Sequence, residues 1–103
     1  MFNNIVTPHV YTFKLNSGEE IIAKVIEVLA TTGYLTIESP VSVAPGPKGM
    51  GLVPSMFTAS PTEEVRLNTN SISMFARTDE PVENKYIEAT TGIKMPEKKL
   101  ILG

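Results

Sequence analysis

A chain of 103 residues, 42% hydrophobic and 19% charged, is sized for one domain with a modest core and is too apolar to remain unfolded. Its net charge of −2 and its lack of cysteine exclude a global basic field for nucleic acid or acidic membranes, disulfides, and thiolate metal sites. The opening MFNNIVTPHV lacks the basic and apolar regions of a signal peptide, and no apolar run approaches the roughly 20 residues of a membrane-crossing helix, so a soluble, unexported protein is expected.

Residues 1–8 read as an N-terminal arm, with Pro8 disfavouring helix at Thr7. From His9 to Leu15 the chain alternates, placing Tyr11, Phe13 and Leu15 on one face of a first strand. Asn16-Ser17-Gly18 is a turn, because Asn and Gly accept positive φ at little cost. The run that follows, Ile21 to Leu29, is mostly β-branched or apolar and reads as a long second strand. Ile21, Ala23 and Val25 share one face, and Ile22, Lys24, Ile26 and Val28 the other. Neither face is cleanly polar, which predicts a strand that bends from one core to another surface.

Thr31-Thr32-Gly33 turns the chain into a third strand, with Leu35 and Ile37 inward, running to about Val43; Pro40 is expected to end it or mark an edge. The segment APGPKGMG, Ala44 to Gly51, reads as a loop. A fourth strand is predicted over Leu52–Thr58, with Pro54 assigning it to an edge or a bulge. Short strands follow at Glu64–Leu67 and Ser71–Ala76, separated by the polar turn Asn68-Thr69-Asn70. After Arg77 the period becomes helical: Pro81 suits a first turn, Val82, Tyr86, Ala89 and Ile93 form one stripe, and Gly92 closes the helix. Residues 9–93 thus form one unit, and 94–103 a tail expected to be loosely held. No segment between strands is long enough for a crossover helix, which excludes a parallel α/β fold. The fold class is mostly β, a small five-stranded, strongly bent antiparallel barrel with one short C-terminal helix.

The inventory for catalysis is thin. His9 is the only histidine and Asp79 the only aspartate, so the common nucleophile–base–orienter triads cannot be assembled, and no enzymatic activity is expected. Adjacent pairs Glu19-Glu20 and Glu63-Glu64 point to opposite faces of a strand and read as solvation. Neither a metal nor a cofactor is expected. Gly46-Pro47-Lys48-Gly49 fails the phosphate-loop pattern, which needs Gly before the Lys, Ser or Thr after it, and a helix beyond. Tyr34, beside a turn, is the best candidate for stacking a base, against the blander role of a cross-strand packing residue. Val53, Met56, Phe57, Ile72, Met74 and Phe75 are candidates for core or for a subunit interface, because two strand edges in one small sheet invite edge-to-edge assembly.

Leu15-Asn16-Ser17-Gly18-Glu19-Glu20-Ile21-Ile22-Ala23-Lys24-Val25 resembles the first motif of Sm and Sm-like (LSm, Hfq-like) proteins, with Leu35 and Ile37 in its third strand. NTNSISMF, Asn68 to Phe75, stands where the second Sm motif falls. FKLNSGEEIIAKV, PGPKGMGLVPSMF and YIEATTGI are similar to an Sm-like small-protein family of T4-like marine cyanophages, over roughly Tyr11 to Ile93. The resemblance implies a barrel, a cyclic homo-oligomeric ring, binding of single-stranded RNA, and residence in the cytoplasm of an infected cell. It also implies a pore lined by Thr31, Thr32, Gly33, Tyr34, Asn68, Thr69 and Asn70. Two departures stand out: Leu29, Thr31, Thr32 and Gly33 replace the usual Asp and Asn pattern, and Asn68-Thr69 the Arg-Gly of the second motif. A ring acting in phage assembly through protein contacts alone is the alternative expectation, favoured by the negative charge.

Overall fold

The computed structural model describes residues 2, 4–29, 31–60 and 62–91. Among them are six strands, β1 (His9–Leu15), β2 (Glu20–Leu29), β3 (Tyr34–Gly46), β4 (Gly49–Pro54), β5 (Glu64–Asn68) and β6 (Ile72–Arg77). A 3-10 turn, Thr69–Ser71, joins the last two strands, and helix α1 spans Glu80–Thr91. All pairings are antiparallel. The sheet runs β4-β3-β2-β1-β6, with β5 pairing the first half of β3.

The count of five strands is therefore corrected to six. The expected loop Ala44–Gly51 is instead the end of a hairpin, in which Ala44 pairs Gly51, Pro45 pairs Met50 and Gly46 pairs Gly49. Proline and glycine are tolerated there because β3 pairs β2 only as far as Ser42. Beyond that residue β3 and β4 form a two-stranded ribbon, each with an unpaired side where a missing N–H leaves no gap. Pro47 presets the corner, and Gly49 takes φ 110°, which a side chain resists. The fourth strand accordingly starts and ends earlier than predicted, and Pro54 closes it on the sheet edge. No ladder joins β5 to β6 among the described residues, so the sheet is open.

Two bulges explain how strands apolar on both faces are used. Val25 pairs Ile37 while Glu27 pairs Thr36, so β2 carries an extra residue at Ile26. Ile22 pairs Val41 while Lys24 pairs Glu38, so β3 carries one at Ser39-Pro40. Each extra residue reverses the in–out alternation downstream and increases the local bend. Val28 thereby joins Ile21, Ala23, Val25, Leu35 and Ile37 in a first core, with Tyr11 and Phe13 of β1. Val41 turns to the opposite face, where it meets Val10, Ile22 and Tyr86 in a second core covered by α1. Pro40 thus sits at a bulge inside β3 and does not terminate it.

Ser39 holds φ 50°, a left-handed conformation that costs a β-branched residue more than it costs Ser. Ser39→Val is expected to lose about 1–2 kcal/mol. A melting curve should fall by about 4–8 °C per kcal/mol lost, and by less for Ser39→Gly, which fits the backbone and gives up only the Ser39 side chain's hydrogen bond to Tyr86.

The arm is docked. Phe2 and Ile5 are buried in the first core, Phe2 stacking on Phe75 at 4.8 Å, and the Tyr11 hydroxyl accepts from the Val6 N–H at 3.0 Å. At the other end, Arg77 on β6 approaches Glu83 of α1 at 3.8 Å, and the Asp79 carbonyl accepts from the Glu83 N–H at 2.8 Å. Within α1, Val82, Tyr86 and Ile87 face the sheet. Ala89, expected on the same stripe, is exposed and Ile87 packs in its stead, because the sheet-facing stripe follows positions 82, 86 and 87. The predicted continuation through Gly92 and Ile93, like the tail 94–103, lies outside the described residues. No helix among the described residues is long and apolar enough to cross a membrane.

Candidate nucleic-acid interface

Three turns far apart in sequence meet at one end of the sheet. The Gly33 carbonyl accepts from both the Thr69 N–H at 2.9 Å and the Thr69 hydroxyl at 3.0 Å, clamping the β2–β3 turn to the 3-10 turn. Asn16, from the β1–β2 turn, donates its N–H to the Ser71 carbonyl at 2.7 Å and its Nδ2 to the Asn70 carbonyl at 2.8 Å. The locations follow from local chemistry. Gly33 holds φ 79°, a region glycine enters without strain. Asn68 caps the 3-10 turn by accepting from the Asn70 N–H at 2.9 Å, and the Ser71 hydroxyl donates back to the Asn68 carbonyl at 2.7 Å. Thr32 closes its own turn, its hydroxyl donating to the Leu29 carbonyl at 2.9 Å.

The seven residues singled out from the sequence, Thr31, Thr32, Gly33, Tyr34, Asn68, Thr69 and Asn70, therefore stand together, but they divide by role. Thr32, Gly33, Asn68 and Thr69 spend polar groups on holding the turns in place. Among the described residues, Thr31, Asn70 and Tyr34 keep side chains facing solvent that the turns do not use. The Tyr34 ring is 38% exposed. It pairs with Asn68 across β3 and β5, and Thr36 pairs with Arg66 two residues along. Cross-strand partners share a face, so Arg66 lies on the Tyr34 face roughly 7 Å away along the strand. Sequence reasoning missed Arg66 as a member of this cluster. The alternation of Glu64, Arg66 and Asn68 against Val65 and Leu67 carried the signal, but only the β3–β5 register assigns that face to Tyr34.

The candidate interface residues also divide. Val53, Met56, Phe57 and Met74 are exposed, Phe57 at 82%. Ile72 and Phe75 are half-buried against the first core, with the Phe75 ring 6.3 Å from Phe13. The exposed members lie near β4 and on β6, the two ends of the hydrogen-bonded strand path. His9 opens β1 opposite Val25. Glu20 pairs with Lys14 at 3.8 Å and Glu19 accepts from the Ser42 hydroxyl, so the Glu19-Glu20 carboxylates are engaged structurally. Among the described residues no three His, Asp or Glu side chains gather in a way that could hold a metal ion. No protein-family model matches the chain, and comparison with curated proteins gives no match.

Proposed function

We propose that this chain is a non-catalytic, Sm-like ring protein whose converging turns bind single-stranded RNA. The observation that carries the reading is the clamp between Gly33 and Thr69, which brings the two turns implied by the resemblance to one end of the sheet and leaves the Tyr34 ring open. Topology supports the barrel. Without β4, the strands run β1-β2-β3-β5 as an antiparallel succession, and β6 returns to pair with β1. Only the β5–β6 pairing is lacking to complete a five-stranded cylinder, and those strands are joined by a three-residue turn. Val65 and Leu67 of β5 and Ile72 and Phe75 of β6 pack on the same core, as wrapping requires. The free edges of β5 and β6 supply backbone groups for pairing with sibling copies, which closes a ring and hides both edges.

In this reading Tyr34 stacks a base, the Asn70 carboxamide reads its edge, and Arg66 meets the adjoining phosphate. A titration of fluorescent oligouridylate or oligoadenylate at low salt is expected to show binding. Tyr34→Ala should weaken it about 5–150-fold, in line with roughly 1–3 kcal/mol for one stacked base. Asn70→Ala should weaken it less. Absence of binding at low salt overturns the RNA reading. Light scattering that gives a monomer at micromolar concentration overturns the ring.

A second reading, assembly through protein contacts alone, is favoured by the exposure of Met56, Phe57 and Met74 and by the net charge of −2. It predicts co-purification with protein partners that RNase does not disturb.

A further inference from the structure

Between β4 and β5 the sheet forks, because β3 pairs with β5 up to Glu38 and with β4 from Val41 onward. The fork opens into a cavity of about 470 Å³. Pro40, Val41 and Leu52 line it on the strand side, Val65 bounds it at the start of β5, and Ala89 and Thr90 in the last turn of α1 form another wall. Its size and apolar lining are those of pockets that receive small hydrophobic groups.

We propose that this cavity is the docking site of the chain's own segment Lys98-Lys99-Leu100-Ile101-Leu102. Three observations select that occupant. Thr90, on the cavity wall, is ten residues before Leu100, a tether of at most about 35 Å that places the segment at the opening without strain. Leu100, Ile101 and Leu102 are three consecutive aliphatic residues in an otherwise charged tail, matching the lining. Exposed Glu63 and Glu64 directly precede Val65 on the β5 side of the cavity, a charge complementary to Lys98 and Lys99. A short tether holds the segment at an effective concentration of roughly millimolar, so contacts too weak to bind a free peptide suffice here. Docking also covers the apolar opening next to the exposed Met56 and Phe57.

The test compares methyl spectra of the full chain with those of the full-length double variant Leu100→Asp/Ile101→Asp. The methyls of Val41, Leu52, Val65 and Ala89 are expected to shift in the variant, while those of Leu35 and Ile37, buried in the first core, stay in place as a folding control. Millimolar addition of the free peptide EKKLILG to the variant should return the shifted signals toward wild type. Cavity signals that superpose in both proteins and ignore the peptide overturn the proposal. Shifts that vanish on dilution of the wild type also overturn it, since the occupant is then a second copy.

Discussion

Phe13→Ala is expected to lower the unfolding free energy by about 3–5 kcal/mol, the range for removing a buried aromatic ring. Against the 5–15 kcal/mol that stabilises a typical domain, this is a large fraction. Phe13 has no exposed surface and lies at the middle of β1, between Ile21 of β2 and Phe75 of β6 across the sheet. Its ring is 6.3 Å from Phe75, which in turn stacks on Phe2 of the arm. Removing it therefore loosens contacts among sheet, returning strand and arm together. Urea unfolding should show a midpoint lowered by roughly 1–3 M with a similar slope. Phe75→Ala should cost less, because Phe75 is only half-buried, and the double variant should cost less than the sum of the two, since the rings share one cavity. A loss under about 1 kcal/mol for Phe13→Ala would contradict the burial of this ring at the centre of the first core.

Much of that core was legible because burial follows period-2 alternation. Tyr11 and Phe13, then Ile21, Ala23 and Val25, then Leu35 and Ile37 each occupy one face of a strand, and each is buried. That β2 would serve two surfaces was also legible, from aliphatics on both its faces. The positions of the reversals were not. An extra residue at Ile26 or at Ser39-Pro40 has no composition of its own, and its place depends on which partner strand lies opposite. The same limit hid the β3–β4 ribbon. Pro45, Gly46 and Gly49 read as loop residues, and only the end of β2 pairing at Ser42 makes them acceptable in strands. That the arm docks on the first core was not legible, because two isolated apolar residues, Phe2 and Ile5, carry no periodicity. At the candidate interface, turn chemistry located Gly33 and Asn68-Thr69-Asn70, whereas the clamp between them is a contact over 36 residues that only the folded sheet creates.

Tyr86→Phe is expected to flatten the alkaline stability curve, which tests how α1 is fastened to the bent strand. The Tyr86 side chain is buried, and its hydroxyl donates toward the carbonyls of Glu38 at 3.1 Å and Ser39 at 3.0 Å. Those carbonyls belong to the β3 bulge, where the register with β2 skips a residue and the ladder is interrupted. The helix thus supplies a donor where the sheet bends. Burial pushes the phenol up to about 12 from its ordinary 10, with the nearby Glu38 charge adding to the rise and hydrogen bonds opposing it. The raised value means that the fold favours the neutral phenol. Its contribution is complete below pH 10 and declines by roughly 1.4 kcal/mol per unit as pH rises through 10 to 12, when the unfolded chain ionises first. Between pH 8 and 12 wild type should therefore lose about 2–3 kcal/mol more than Tyr86→Phe, a difference from which the lysines and the other two tyrosines cancel. At neutral pH the variant should be about 0.5–1.5 kcal/mol less stable, the hydroxyl's net hydrogen-bond contribution. Parallel curves for the two proteins would mean that the phenol titrates as it does in the unfolded chain, and that neither the bulge nor the second core holds the helix in this place.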